Sequence, residues 1–464
     1  MIDKQNYSAS FRDPSGSVFI EEGVVKRQIN PIYFDQYAAL KEKGLFKKLF
    51  FTGFLIKHEE LLHDKTKIVI QPEQIPFIIY PYEWSFSQYK EAALLTLKIQ
   101  KFCLDNGMSL KDASAFNVTF HKGKAIFMDT LSFDFYRENE PWRAYKQFVL
   151  HFLGPLLLAK YRGADMLKLM GTFIDGVPIK MVSSMLPFKT KLNPFVYSNV
   201  HLLAKYENEY KDDYKGKSKK ASLSKQAQLN IIKSLYGFIK KIEVKEPSEW
   251  SDYYSKTNYT KSAFLQKSKI INKWVDDLKI KTLIDVGGND GTFVRQINRK
   301  LKQALVCDID NNAVSYNHKN LNSSEETYIT PFVQDILSPS PAVGFNNKER
   351  QSFLERIQLF KPDLTMALAV IHHMSLSGNI PFKMSAEFFA SFSKYLIIEF
   401  PKREDSWVER LLSAKREFRK HFNFYNIEFF EEAYSSYFDV VEKQKIDGSE
   451  RVMYLLKVKD DKKN

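Results

Sequence analysis

The stretch TLIDVGGNDGTFV, residues 282–294, decides how the second half of the chain folds. It opens on β-prone, largely apolar residues that lead to Asp285. Gly287, Gly288 and Gly291 follow within a few positions, and a helix-compatible run then resumes. Because glycine lacks a Cβ atom, a turn built from it lets a ligand approach the backbone closely. The stretch therefore predicts a buried strand, a ligand-binding turn and a helix.

Strand-like and helix-like runs alternate around this turn, from about residue 247 onward. The last of them, FDVVEKQKIDGSERVMYLLKV (438–458), places an Asp-Gly turn between two strand-like runs, which is typical of a β-hairpin. The alternation predicts an α/β fold: a mainly parallel sheet with helices on both faces and the hairpin as an antiparallel edge. The predicted strands are 282–286, 304–309, 329–334, 363–369 and 394–400, and the predicted helices are 291–301, 311–320, 349–359 and 384–391.

Acidic residues stand at the ends of the next strands. Asp308 closes ALVCD, 23 positions after Asp285, where a carboxylate accepts hydrogen bonds from both hydroxyls of a ribose. Asp335 closes PFVQD and is placed to accept from an adenine amino group. The glycine frame is not the G-x-G-x-x-G of nicotinamide-binding proteins, because Asn289 occupies the second glycine position. Asp285 and Asp290 would repel a pyrophosphate and attract a cationic ligand.

Taken in order, these motifs resemble those of the class I S-adenosylmethionine-dependent methyltransferases. DVGGNDG is similar to their first glycine motif, CDID to their ribose-binding acid, QDIL to their adenine-side acid and LAVIHHM to the LHH of many small-molecule methyltransferases. The resemblance implies a Rossmann-like methyltransferase domain over residues 247–464, with S-adenosylmethionine as cofactor. The cofactor-binding residues that it implies are Asp285, Gly287, Gly288, Asn289, Gly291, Asp308, Ile309, Asp335 and Ile336.

Each of these acids also has a purely structural interpretation. Asp308 could cap the helix that opens at DNNAV, although Asp310 could take that role instead. Asp335 could cap its own loop. Since the glycine turn and the acids follow successive strands in order, a shared ligand site is the better interpretation.

Methyl transfer from a sulfonium requires little acid–base chemistry from the protein, because alignment of the methyl group with the attacking atom supplies much of the barrier reduction. A base is needed only where the acceptor atom carries a proton of high pKa. His372, His373 and Glu399 are the candidates, and a loop histidine bonded to backbone explains the first two equally well. No Asn/Asp-Pro-Pro-aromatic motif follows the fourth strand, which disfavours amino methylation of DNA bases but leaves the acceptor open.

The first half of the chain carries a second informative stretch, MSLKDASAFNVTFHKGKAIFMDTLSF (108–133). Asp112 and Asn117 stand five apart, and Asp129 follows a predicted hairpin. This D-x-x-x-x-N…D arrangement resembles the catalytic loop of protein-kinase-like and small-molecule kinases. The resemblance implies that Asp112 orients an acceptor hydroxyl, while Asn117 and Asp129 hold magnesium with ATP, if the module is active. Ordinary turn chemistry is the alternative, since Asp and Asn favour loops.

Other segments are compatible with such a module. SGSVFIEEGVVKRQI (15–29) predicts its first hairpin, with Lys26 or Arg27 reaching phosphates, and FIIYPYEWSF (77–86) predicts a strand and hinge. The motif departs from the kinase pattern, because Leu-Lys-Asp replaces His-Arg-Asp and Met-Asp-Thr replaces Asp-Phe-Gly. We therefore expect an α+β kinase-like module over residues 1–160 whose activity stays open.

Composition sets the class of protein. The 464 residues are 44% hydrophobic and carry a formal charge of +14, which fits several globular domains. A basic helical connecting region is predicted at 161–246, with a polar loop at 205–225. Two distant cysteines, the absence of an apolar N-terminal run and the lack of any transmembrane-length apolar stretch predict a cytoplasmic protein.

The sequence thus predicts a methyltransferase for a small-molecule, glycan or natural-product-type acceptor, whose N-terminal module recognises substrate or partner. Neither a metal-ligand spacing nor a nucleic-acid-binding motif is present, so we expect no protein-bound metal in the methyltransferase and no nucleic-acid partner. One alternative is a kinase-like phosphotransferase whose C-terminal half senses adenosylmethionine. Another is a non-catalytic nucleotide-binding protein. Oligomeric state and the role of the basic helical region stay open.

Overall fold

The structure is a computed structural model that describes residues 4–6, 10–209, 222–244, 260–321 and 325–460. Most of the predicted polar loop at 205–225 and the predicted boundary at 246 lie outside the described residues. The chain forms two compact units. The first comprises residues 1–246 and 342–351, and the second comprises residues 247–341 and 352–464.

The first unit opens with a five-stranded antiparallel sheet in the order β1-β2-β3-β5-β4. Glu22 and Gly23 both have positive φ at the β2–β3 turn, as a two-residue hairpin requires. The predicted first hairpin is therefore confirmed. The elements are β1 (Lys4–Asn6), β2 (Gly16–Glu21), β3 (Val24–Ile29), α1 (Phe34–Glu42), α2 (Leu45–Phe51), β4 (His58–His63) and β5 (Ile68–Pro72).

The predicted strand at 77–86 is wrong. Residues 77–80 belong to no strand, although Phe77, Ile79 and Tyr80 are buried, and a single tight turn follows at Pro81–Glu83. The Ile79 carbonyl instead accepts from the Trp84 indole and the Thr119 hydroxyl, so side chains satisfy the backbone that a sheet would otherwise pair.

A long buried helix, α3 (Phe86–Asp105), follows this segment. Ser85 and Gln88 form a capping box at its start. The predicted hairpin after it is confirmed, with Lys122 and Gly123 at positive φ in the turn. The strands of this region are β6 (Met108–Leu110), β7 (Val118–His121), β8 (Lys124–Phe127) and β9 (Phe133–Phe135).

Helices complete the first unit, in agreement with the helical character predicted for 161–246. The last of them packs against α3. They are α4 (Tyr145–Phe148), α5 (Gly154–Arg162), α6 (Leu169–Thr172), α7 (Ile179–Met185), α8 (Pro194–Val196), α9 (Leu202–Glu209) and α10 (Lys225–Lys240). No helix in the described ranges combines the length and apolarity needed to cross a membrane.

The second unit contains a seven-stranded sheet in the order β12-β11-β10-β13-β14-β16-β15. The first five strands are parallel, and β15 and β16 form the antiparallel edge. The predicted Rossmann-like sheet is confirmed. Its strands are β10 (Thr282–Val286), β11 (Gln303–Asp308), β12 (Ile329–Val333), β13 (Leu364–Ala367), β14 (Tyr395–Pro401), β15 (Phe438–Lys445) and β16 (Arg451–Val458).

Helices cover both faces of this sheet. Leu283 and Met453 face a core shared with α11 and α12, whereas Phe332 and Tyr454 on the other face contact Phe353 and Phe430. Successive side chains of a β-strand point to opposite faces of the sheet, so each strand contributes residues to both cores. The helices are α11 (Lys261–Asp277), α12 (Thr292–Arg295), α13 (Asn311–Lys319), α14 (Phe353–Phe360), α15 (Phe382–Ala390), α16 (Ser406–Ala414) and α17 (Ile427–Ser435).

Two of the predicted helices are at least three residues shorter in the structure. The helix predicted at 291–301 ends at Arg295. The Asn272 side chain donates to the Gln296 carbonyl and accepts from the Asn298 N–H, so it takes up backbone groups that a longer helix would pair internally. The helix predicted at 349–359 starts at Phe353, because Ser352 forms a capping box with Glu355.

Candidate functional site

The carboxyl ends of the parallel strands of the second unit border a cavity of about 250 Å³. The strand order reverses at β10 and β13, and ligands of open α/β sheets bind beyond the strand ends at such a point. Of the predicted cofactor-binding residues, the cavity is lined by Asp285, Gly287, Gly288, Asn289, Asp308, Ile309, Asp335 and Ile336. Gly291 lies outside the lining, at the start of α12.

The turn after β10 has no room for side chains at its first two positions. Gly287 has φ +69°, and a Cβ atom there would lie 2.7 Å from Val370 Cγ2. At Gly288 a Cβ atom would lie 2.8 Å from the Asp285 carboxyl carbon. Both residues are therefore glycine for steric reasons that the fold imposes.

Asp285 is buried at the end of β10, with 1% of its surface exposed. Neither of its carboxyl oxygens has a hydrogen-bond partner among the described residues. Burial raises the pKa of Asp285 to about 8, against the opposing effect of the Lys267 charge. An unsatisfied buried carboxyl that borders a cavity is suited to bind a cationic group.

Asp308 is held by the glycine turn. Its two oxygens accept from the backbone N–H groups of Asn289 and Asp310, each at 2.9 Å. Burial raises its pKa to about 6, and these backbone bonds oppose the rise. The cap of α13 is Asp310, which accepts from Asn312 and Ala313. Asp308 is therefore not the helix cap, and its remaining lone pairs stay available to a ligand.

Asp335 fits both interpretations of the sequence, because it caps its own loop and also borders the cavity. One oxygen accepts from the Leu337 N–H at 2.8 Å and so caps the local loop. The residue also lines the cavity and is only half-buried. A loop-capping carboxylate can still accept from a ligand through its second oxygen.

The two histidines differ in position. His373 lines the cavity, whereas His372 lies behind it with its ring centroid 4.1 Å from that of His373. Burial lowers the pKa of both rings, and the charge of Arg451 lowers each further. Both imidazoles are therefore neutral at pH 7, and His373 alone of the pair borders the ligand space.

Glu399 is fully buried and does not line the cavity. It accepts from Lys267 Nζ at 2.6 Å and from Arg451 Nη1 at 3.4 Å. The carboxylate is thus the partner of two buried cations, and the structure gives it no access to an acceptor in the cavity.

Lys267 is a cavity residue that the sequence interpretation missed. It is 2% exposed, lies on α11 and places its Nζ 4.5 Å from the centroid of the Phe293 ring. Burial lowers its pKa, while Glu399 opposes that shift. The sequence contains a signal for its burial, because Lys267 lies at helical spacing within the apolar stripe of Phe264, Ile271 and Trp274.

The kinase-like residues come together in a separate polar pocket of about 290 Å³ in the first unit. Asp112, Asn117 and Asp129 all line it, and Arg27 forms an ion pair with Asp129. Lys26 instead bonds Glu21 at 2.6 Å and is not in the lining. Of the two basic residues considered for this role, Arg27 is the one that reaches the pocket.

The two aspartates of this pocket have opposite pKa shifts. Burial, together with the Asp129 charge, raises the pKa of Asp112. Burial also acts to raise the pKa of Asp129, but Arg27 and the Ser132 hydroxyl outweigh it and lower the value. Asp129 is therefore the firmly ionised member of the pair. The described residues contain no group of three or more His, Cys, Asp or Glu side chains arranged to hold a metal ion by themselves.

Comparison with known proteins gives one strong similarity. No family model matches the chain. Nodulation protein NoeA of Rhizobium meliloti (strain 1021) is 31% identical over 470 residues, covering 96% of this chain and 95% of the relative.

Two solved structures that match the chain do so over less than half its length. The methyltransferase domain of bacterial CtHen1 is 15% identical with a TM-score of 0.30, and the match covers 42% of this chain and 100% of that domain. The N-methyltransferase NodS from Bradyrhizobium japonicum WM9 is 10% identical with a TM-score of 0.30, over 43% of this chain and 99% of NodS. Identity and coverage of the full-length relative decide the family: the chain belongs to the family of nodulation protein NoeA.

Proposed function

We propose that the protein is an S-adenosylmethionine-dependent methyltransferase for a small-molecule, glycan or natural-product-type acceptor. The observation that carries this proposal is the unsatisfied buried carboxyl of Asp285, which borders a cavity at the point where the strand order reverses. A buried acid without a partner is costly to the folded protein unless a ligand satisfies it.

The residues present fit this cofactor part by part. Asp285 would receive its ammonium group, and Asp308, already oriented by two backbone N–H groups, would accept from the ribose hydroxyls. Asp335 would accept from the adenine amino group, between the apolar side chains of Ile309 and Ile336. When bound, the cofactor supplies a methyl group activated by a positively charged sulfur.

On the acceptor side, the cavity is mostly apolar. His373, Met374 and Ser377 border it. Because its imidazole is neutral, His373 holds a lone pair that can take a proton from an acceptor hydroxyl or amine. His372 would support the His373 ring from behind, and Glu399 would hold Lys267 in the cavity wall. We place the acceptor among small molecules and glycans because no nucleic-acid-binding motif accompanies the site.

The proposal is tested by calorimetric titration of S-adenosylhomocysteine into the full-length protein. We expect binding in the micromolar range and at least about 10-fold weaker binding by Asp308→Ala, because hydrogen bonds to a charged group contribute about 1.5–3 kcal/mol. Asp276→Ala, an exposed acid on α11, is the matched control and should bind like wild type. A folded wild-type protein that does not bind would overturn the proposal.

The alternative is a phosphotransferase in the first unit, with the second unit as a sensor of adenosylmethionine. It is supported by the convergence of Asp112, Asn117, Asp129 and Arg27 in one pocket. ATP and magnesium would be held by Asn117 and Asp129, with Arg27 toward the phosphates and Asp112 as the acceptor of a hydroxyl proton. ATP turnover that survives Asp308→Ala and disappears in Asp112→Ala would favour this function. No turnover with either cofactor would favour the non-catalytic alternative.

We also infer a reducing, cytoplasmic location. Cys103 and Cys307 are buried free thiols that lie in different units, as is usual for proteins of the reduced cytosol.

A further inference from the structure

A surface loop of the first unit exposes large apolar side chains to water. This apolar loop, residues 187–198, follows α7 and includes the short helix α8. Phe188 and Leu192 are 72% and 75% exposed, and Tyr197 is 44% exposed. A single exposed apolar residue is common on a folded protein, whereas several in one loop form a patch of the kind that marks an interaction surface.

Polar bonds beneath the loop hold it in this conformation. Thr190 is 1% exposed, and its hydroxyl donates to the Pro187 carbonyl at 2.7 Å. The same hydroxyl lies 2.9 Å from Nε2 of His201, whose Nδ1 lies 2.8 Å from the Ser183 hydroxyl. The middle of the loop is therefore fixed to the helices behind it, so the outward position of its apolar side chains is a property of the fold.

Lysines surround these apolar side chains. Residues 176–206 contain four lysines and neither Asp nor Glu. Lys191 Nζ lies 5.5 Å from the centroid of the Phe188 ring, and Lys189 Nζ lies 5.6 Å from that of Tyr161. The positive charges therefore stand directly beside the apolar patch, and the part of the chain that forms it supplies no acid to balance them.

The end of α5 adds cations to the same surface. Lys160 Nζ lies 5.4 Å from the centroid of the Tyr161 ring, the ring that Lys189 also approaches. Arg162 Nε donates to the Met185 carbonyl at 2.6 Å, which ties the end of α5 to the chain just before the apolar loop. Within the described ranges, no carboxylate forms an ion pair with Lys160 or Lys189.

The acids that come next in sequence are already engaged. Asp165 is paired with Lys168 at 2.7 Å, and Asp175 contacts Arg12 at 3.2 Å. The surface is thus a cationic rim around an exposed apolar centre. A nucleic acid would balance the rim but leave the apolar centre in water. An anionic bilayer satisfies both, because its headgroups attract lysines while its acyl boundary accepts apolar side chains.

We propose that the apolar loop and the end of α5 dock on a membrane surface that carries anionic lipids. Phe188 and Leu192 insert at the boundary of headgroups and acyl chains, and Lys189 and Lys191 contact the headgroups. Lysine suits this position, because its apolar stem can lie along the inserted side chains while its ammonium group stays in the headgroup layer. The contact is peripheral, and it does not depend on the reaction of the second unit.

The test is cosedimentation of the full-length protein with vesicles of phosphatidylcholine and phosphatidylserine at a molar ratio of about 7:3. Pure phosphatidylcholine vesicles should bind it much more weakly. Lys189→Gln/Lys191→Gln should lower the partition coefficient at least about 10-fold, since two cations near the anionic surface are lost. Phe188→Ser/Leu192→Ser keeps every charge and should also lower it at least about 10-fold, because no large side chain is left to insert.

Two control variants lie elsewhere in the first unit. Lys65→Gln/Lys67→Gln removes the same charge at the same spacing from the turn between β4 and β5, and Ile32→Ser shortens an apolar side chain that is 70% exposed. Both should partition like wild type. Thermal unfolding of each variant shows that it is folded, and retention on heparin is measured in parallel.

Losses confined to the two loop variants support the proposal. Wild-type protein that stays in the supernatant with the anionic vesicles overturns it, and so does an equal loss in Lys65→Gln/Lys67→Gln. Partition that falls in Lys189→Gln/Lys191→Gln but is unchanged in Phe188→Ser/Leu192→Ser, with heparin retention following the same pattern, also overturns it, because the surface would then bind polyanions by charge alone.

Discussion

The Nζ atom of Lys267 lies 2.6 Å from Oε2 of Glu399, and both side chains are almost completely buried. Lys267 forms part of the cavity wall, while Glu399 lies behind it and also bonds Arg451. Since the charges of such a pair depend on one another in a dry environment, substitution of either residue should disturb this wall of the cavity.

Lys267→Met should destabilise the protein by about 3 kcal/mol, because it leaves a buried carboxylate with one cation fewer. The Lys267→Met/Glu399→Gln double variant should lose less than the sum of the two single variants. Urea unfolding of the full-length protein measures these free energies. Lys273→Met, an exposed lysine of the same helix, is the control and should change little. Strict additivity in the double variant would show that the pair is not coupled.

The affinity for S-adenosylhomocysteine should rise with pH between pH 6 and 8. In the free protein the pKa of Asp285 is about 8, so the carboxyl is protonated over most of this range. A bound ammonium group favours the ionised form, and binding therefore releases a proton. Affinity should increase by up to about 10-fold per pH unit below the free-protein pKa and level off above it. Calorimetry at four pH values measures the trend.

Asp285→Asn is the control for that pH dependence. The amide cannot ionise, so binding should be weaker at pH 8 and should vary much less with pH. A variant that retains the full wild-type slope would assign the proton to another group, with Asp308 as the next candidate because its pKa is about 6.

Gly287→Ala should destabilise the protein by about 2 kcal/mol and weaken S-adenosylhomocysteine binding. The residue has φ +69°, and the added methyl group would meet Val370 at 2.7 Å, so backbone strain and a steric clash add together. Thermal unfolding and calorimetry measure the two effects. Gly237→Ala, in α10 where the added Cβ atom meets nothing within 4 Å, should instead be stabilising by about 0.5–1 kcal/mol. Wild-type stability and affinity in Gly287→Ala would contradict the geometry of the turn.

Arg27→Met should destabilise the protein by about 3 kcal/mol at pH 7, because it removes the cation that keeps Asp129 ionised in a partly buried site. The pKa of Asp129 is lowered in wild type, so the pair's stabilisation is present above the unfolded-state pKa and is lost as the pH falls through the folded-state pKa. In the variant, burial is no longer opposed by Arg27 and raises the pKa of Asp129. The variant carboxyl is therefore protonated as the pH falls, and the difference between wild type and variant should shrink toward pH 4. Urea unfolding at pH 7, 5.5 and 4 measures it.

Arg143→Met is the control for this pair, because the Arg143 side chain is 66% exposed and lies 3.5 Å from Asp134. It should change stability little at any of these pH values. A loss in Arg27→Met that stays constant with pH would indicate that the arginine stabilises the pocket through packing alone.

The alternation of strands and helices in the second unit, its hairpin edge and the location of the glycine turn could be predicted from the sequence. Residue alternation, turn residues and acids at strand ends are local signals, because they depend on the period of the element in which each residue lies. The glycine turn at Gly287 and the cavity positions of Asp308 and Asp335 follow from such signals. The segment at 77–80 shows their limit, since an apolar run becomes a strand only where another strand is available to pair with it.

Side-chain partners and burial were decided by the tertiary structure alone. Lys267 and Glu399 are 132 positions apart, and nothing near either residue specifies the other. His372 and His373 are neighbours in sequence, yet only His373 borders the cavity, because successive residues of a helical segment point in directions about 100° apart. Arg350 lies between β12 and α14 in sequence, two elements of the second unit, but lines a pocket of the first unit. Local patterns set which elements form, whereas long-range packing sets which charges meet, because burial is a property of the whole fold.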